Sequence, residues 1–155
     1  MAVRKMENAK ITAFSRDVHA QDQIRRVSSI AGTEPDHIPS LPSVPTAEAK
    51  PGGWAPTLVH TSGELKFTVI RVLPGGEVPL HYHHEVWDYF VPLQGEGVIE
   101  VVTESGRVEK YPMDMHSFMA MPPKIVHRVR NNLSEVPFVF LIAQSPRTKY
   151  DFIAQ

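Results

Sequence analysis

Turn chemistry recurs so often after residue 58 that no long helix has room to form. The runs LKFTVIRVL, WDYFVPL, VIEVVT, HSFMAM, IVHRV and FVFLIAQ are short and rich in β-branched and aromatic residues. They are separated by PGGEVP, QGEG, ESGR, PPK and RNNLSEVP. Short strands at even spacing, with glycine and proline between them, predict an antiparallel sheet that closes on itself or packs as a sandwich. Both parities of FVFLIA are apolar, so this strand is expected to be covered on both faces. The body of the chain therefore reads as all-β.

The amino-terminal third has a different texture. In SRDVHAQDQIRRVSSIA, residues 15–31, the apolar side chains Val18, Ile24, Val27, Ile30 and Ala31 recur at spacings near three and four. Ser15 stands where an N-cap belongs and Gly32 where a helix stops, so one short helix is expected. Residues 33–56 then carry Pro35, Pro39, Pro42, Pro45, Pro51 and Pro56 with Gly52 and Gly53 among them. That density breaks helices and removes ladder donors, which predicts an extended arm draped over the barrel or a neighbouring subunit. The expected division is a helix and proline-rich arm over 1–57 and a single β-domain over 58–155, a size suited to one hydrophobic core.

Sixteen basic and seventeen acidic side chains leave a formal charge of -1. No broad basic field exists to hold nucleic acid or an anionic membrane, so a small-molecule partner is expected. The chain has no cysteine. Any metal must be held by nitrogen and oxygen, and a cysteine nucleophile is excluded. MAVRKMENAK lacks the apolar run of about seven to fifteen residues of a signal peptide, and no stretch approaches the roughly twenty apolar residues of a membrane span. A cytoplasmic location is the expectation.

Residues 81–88, HYHHEVWD, place three histidines and two carboxylates in one short segment. In an extended strand His81 and His83 point one way and Tyr82 the other. If the chain turns through His84 to Trp87 and pairs back, Asp88 opens the next strand and its carboxylate meets the two imidazoles. In PPKIVHRV a diproline turn precedes a strand on which Ile125, His127 and Val129 share a face, which makes His127 a further candidate. The bland alternatives are a solvated histidine-rich loop and a satisfied core histidine.

Taken together, Gly75, His81, His83, Asp88 and Gly95 resemble the first motif of the cupin family, with aspartate where glutamate is usual. HSFMAMPPKIVHRVRN is similar to the second motif: Pro122, Pro123, His127 and Asn131 match, while His116 and Lys124 occupy its two glycine positions. The resemblance covers roughly residues 58–145. It implies a small single-domain cupin, a double-stranded β-helix or jelly roll with a divalent metal near one end of the barrel. By carry-over the metal ligands are His81, His83 and His127, with Asp88 as the carboxylate, bound directly or through water. Glu85 could replace it only if its loop folded inward. Fe(II) is the first choice because oxygen chemistry is frequent in the family, with Mn(II), Ni(II) or Zn(II) compatible with the same donors. Lys124 in a glycine's left-handed conformation would cost about 1 kcal/mol.

Alternation sends Phe90, Ile125 and Val129 into the pocket. Met119 and Met121, further candidates for the pocket, share one parity and Phe118 and Ala120 the other, and the sequence leaves open which pair faces the metal. Tyr82, Glu85, Tyr89 and His116 are the candidates for acid or base, Arg71 and Gln144 further polar groups near the strands. Arg128 and Arg130 are expected to point away from the metal. The leading functional expectation is a metal-dependent oxidoreductase, an Fe(II) dioxygenase or related oxygenase acting on a small organic molecule. A non-oxidative isomerase, lyase or dehydratase and a small-molecule-binding cupin without catalysis are the alternatives. The family resemblance and the arm make a homodimer the expected assembly.

Overall fold

The structure, a computed structural model, describes residues 37–155 apart from 39, 46, 133 and 134. The helix expected over 15–31 lies outside the described residues. Residues 40–155 form one body, and it holds every strand found among the described residues.

Ten strands run in chain order: β1 (Trp54–Ser62), β2 (Leu65–Val72), β3 (Glu77–Tyr82), β4 (Trp87–Gln94), β5 (Gly97–Val102), β6 (Val108–Met113), β7 (Met119–Met121), β8 (Val126–Arg130), β9 (Phe138–Ser145) and β10 (Ile153–Ala154). They form two five-stranded sheets in the orders β1-β2-β9-β4-β7 and β10-β3-β8-β5-β6. Every pairing between these strands is antiparallel. This is the jelly roll that the strand and turn pattern predicts.

The first strand begins at Trp54, so the last residues of the proline-rich segment already belong to the sheet. Pro56 is tolerated there because β1 is an edge strand, where one side of the backbone needs no ladder donor. Pro92 lies inside β4, but β7 pairs only with Asp88, Tyr89 and Phe90, so the proline falls beyond its reach.

The core lies between the sheets, where Phe90, Ile99, Val129, Phe138, Phe140 and Ile142 are all buried. Gly97 permits its closest packing. A Cβ at that position would stand 2.3 Å from the ring of Phe138, which is itself buried and has nowhere to move. β9 is covered on both faces, as its sequence predicts. Phe138, Phe140 and Ile142 enter the core, and the opposite face of the sheet is met by the 3-10 turn Leu41–Ser43, with Arg71 donating a hydrogen bond to the Pro42 carbonyl. The facing sheet thus covers one side of β9, and a piece of the arm meets the other.

On the second sheet, Arg128 and Arg130 point outward and pair with Glu100 and Glu77. β8 consequently carries an ionic ladder on one face and His127 on the other.

Asn131 ties the end of β8 to its neighbours. Its Nδ2 donates to the carbonyls of Val72 at 3.0 Å and Val136 at 2.9 Å, and its own carbonyl accepts from Gly75 N at 2.7 Å. It is fully buried. Asn131→Ala removes both side-chain donors, one of them to the buried contact with the Val72 carbonyl, and stability is expected to fall by on the order of 2 kcal/mol, read as a lower urea midpoint with an unchanged far-ultraviolet spectrum.

Candidate metal centre

The pairing of β3 with β8 sets His81 directly opposite His127, with ring centroids 4.3 Å apart. His83 follows in the loop after β3, and Asp88 arrives from β4 in the other sheet. All four side chains are buried, and their ligand atoms lie within 4.8 Å of one another. Asp88 Oδ2 stands 3.1 Å from His83 Nε2 and 3.5 Å from His127 Nε2.

Each imidazole is fixed from behind. His81 Nδ1 contacts the Pro79 carbonyl at 2.7 Å, His127 Nδ1 the Ile125 carbonyl at 2.8 Å, and His83 Nδ1 the Asp151 carbonyl. A carbonyl can only accept, so Nδ1 carries the hydrogen in all three rings and Nε2 of the neutral ring is left with a lone pair. His83 Nε2, His127 Nε2 and Asp88 Oδ2 are buried without a hydrogen-bond partner. Burying such acceptors unsatisfied costs about 1–3 kcal/mol each, a cost that one cation among them would remove together. The donor set of three imidazoles and one carboxylate fits a borderline divalent ion.

The electrostatics follow from the same contacts. Burial, helped by the neighbouring His127 ring, holds the His81 pKa down to about 3. Burial also opposes charge on His83, but Asp88 and Asp151 outweigh it and raise its pKa. For Asp88, burial favours the neutral acid, yet the His127 and His83 rings prevail and hold the carboxyl well below its usual range. Asp88 Oδ1 accepts from Gln144 Nε2 at 2.8 Å, and Gln144 is its register partner on β9. One carboxylate oxygen is thereby committed to the sheet and the other faces the histidines.

Lys124 sits at φ 68°, the left-handed conformation of the glycine it replaces, and its amide donates to the His83 carbonyl at 2.7 Å. The turn before β8 therefore braces the loop that carries His83. On the other side, the C-terminal segment closes the site. Phe152 stacks on His81 at 4.2 Å and 15°, and Ile153 and Ala154 pair with Tyr82 and His81. Asp151 holds His84 through its amide at 3.0 Å and its Nδ1 at 2.6 Å.

A cavity of about 460 Å3 opens over the cluster. Phe90 and Val129 line it, together with Trp54, Thr68, Ile70 and Phe140. Ile125, Met119 and Met121, also expected in the pocket, pack on the core and do not line the cavity. The reason for the methionines is strand order: the cavity lies toward β1, β2 and β9, whereas β7 is on the far side of β4. The acid and base candidates are placed elsewhere. Tyr82 points away from His81 and meets His84 edge-on, while exposed Glu85 pairs with Lys149 at 3.6 Å. Tyr89 stacks between Trp87 and Phe118 on the outer face, and His116 is exposed at a turn. Lys66, Thr68, Tyr150 and Phe152 face the cavity without having been singled out in the sequence. The shared parity of Lys66, Thr68 and Ile70 is visible there, but Phe67 and Val69 make the opposite parity equally apolar. The C-terminal residues carry no periodic signal.

No curated protein sequence matches the chain. Residues 68–143 match the cupin domain model. Among solved structures, a conserved double-stranded β-helix protein from Klebsiella pneumoniae is 19% identical with a TM-score of 0.61, covering 78% of this chain and 100% of that one. KdgF from a Halomonas species is 18% identical with a TM-score of 0.60, covering 74% and 96%. Oxalate oxidase, solved with glycolate, is 12% identical with a TM-score of 0.61, covering 79% and 68%. These likenesses are of fold. With the matched segment and the two-sheet barrel that encloses it, the chain carries a cupin domain.

Proposed function

We propose that this chain is a metal-dependent enzyme for a small organic molecule, with a divalent ion held by His81, His83, His127 and Asp88. The observation that carries the reading is the convergence of buried Nε2 and carboxylate atoms that have no partner, each imidazole locked from behind by a carbonyl. An ion held by these four residues would supply Lewis-acid chemistry and, as Fe(II), redox chemistry with dioxygen. The protein's share is positioning: Gln144 orients Asp88, Phe152 covers His81, and Ile70, Phe140 and Val129 give the cavity an apolar wall. This supports an oxygenase as the first reading.

A non-oxidative isomerase, lyase or dehydratase is the second reading, favoured by one observation. Lys66 and Tyr150 face the cavity, and a proton-transfer step needs a side chain there.

Natively purified protein is expected to hold about one ion per chain, and His81→Ala and His127→Ala only a small fraction of that, by elemental analysis. Retention of the full ion content in both variants sinks the metal reading. Oxygen-electrode assays of iron-loaded protein with a panel of small organic compounds separate the two chemistries. Turnover is expected to stop under argon; persistence there selects the second reading. Because ligation needs neutral imidazoles and His83 is raised above 6.5, protons compete at this ligand first. Metal content after dialysis at stepped pH is therefore expected to fall on acidification, with protonation of His83 leading the loss while Asp88 remains ionised.

A further inference from the structure

Besides the metal cluster, the cavity contains polar groups that the proposed ion does not use. Lys66 and Thr68 lie on the inner face of β2, in line with Ile70. The Lys66 ammonium stands over the Tyr150 ring, 3.3 Å from its centroid, and no carboxylate among the described residues forms an ion pair with it. Thr68 Oγ1 is buried and has no hydrogen-bond partner. Lys50, over the Trp54 ring at 4.8 Å, adds a second positive charge to the lining. Asp88 is the one carboxylate among the described lining residues; Gln144 engages one of its oxygens and the other faces His83 and His127.

A partly buried ammonium loses hydration, and an aromatic face returns only part of that loss. Burial lowers the Lys66 pKa, with Asp88 acting in the opposite sense. A buried hydroxyl beside it with nothing to bond to is a second unmet demand. One ligand group answers both: a carboxylate accepts from the ammonium and from the hydroxyl at once, in charge-assisted hydrogen bonds. Ile70, Phe140 and Ile142 then require that the rest of the molecule be apolar. A neutral substrate would leave the lysine unanswered.

We infer that the substrate is an organic carboxylate with an apolar body, its carboxylate held by Lys66 and Thr68 and its remainder directed toward the His81, His83, Asp88 and His127 cluster. The inference rests on the reading of this cavity as a substrate site. It assigns Lys66 and Thr68 as substrate-binding residues that select charge.

The test is a calorimetric titration of straight-chain carboxylates from propanoate to octanoate, each against its own primary amide. Proteins compared are metal-loaded and metal-stripped wild type, Lys66→Met, Lys66→Arg and Thr68→Val, each checked for folding by circular dichroism and for metal content. Wild type is expected to prefer the acid by about ten-fold, with affinity rising along the series as the chain covers the apolar wall. Lys66→Met is expected to lose that preference with unchanged metal content, Lys66→Arg to keep most of it, and Thr68→Val to lose part. A preference that survives in Lys66→Met, or the absence of saturable carboxylate binding to wild type at millimolar concentration, overturns the inference. Failure of the metal reading shows separately, as full ion content in His81→Ala and His127→Ala, and a Lys66-dependent preference for acids in metal-stripped wild type leaves the anion site standing without the ion.

Discussion

Hydrogen bonding between β3 and β8 is the constraint on which the rest of the site depends. These strands are far apart in the chain, and their register sets His81 against His127. A slip by one residue would turn every side chain of β8 over, bringing Arg128 toward the cavity and His127 out to the ionic ladder. The two faces of β8 oppose that slip, because Glu100 is buried under Arg128 and Arg130 and would lose both partners. Specificity of register thus comes from charge outside as well as from apolar packing within.

The four-residue cluster was legible because short-range geometry carries most of it. His81 and His83 are separated by one residue on extended backbone, and the loop to Asp88 is short enough for the next strand to return beside them. His127 was legible from the turn before it, even with Lys124 where a glycine is usual, since the backbone retains the left-handed conformation that the position demands. The fold was legible for a related reason. Strand length and turn spacing are local, and an all-β chain of this rhythm has few ways to hide its apolar faces.

What the sequence withheld depends on contacts between distant segments. Alternation correctly turns Tyr82 away from His81, but it says nothing about which side of β4 the cavity occupies, and the methionines of β7 fall on the wrong side. Lys66 and Thr68 sit in a strand whose two parities are nearly equal in apolar character, so only the packed sheets reveal which face is inward. Phe152 and Asp151 act through a stacking contact and a backbone carbonyl, neither of which leaves a residue pattern to read.

The supports behind the three imidazoles are all main-chain carbonyls, from Pro79, Ile125 and Asp151. Such acceptors are indifferent to the identity of the side chain that bears them, so drift at those positions leaves ring orientation intact as long as the backbone path is kept. The carboxylate is different, since its brace is the amide of Gln144. Sequence variation therefore reaches the carboxylate's donor strength directly from β9, a strand that supplies none of the four converging groups.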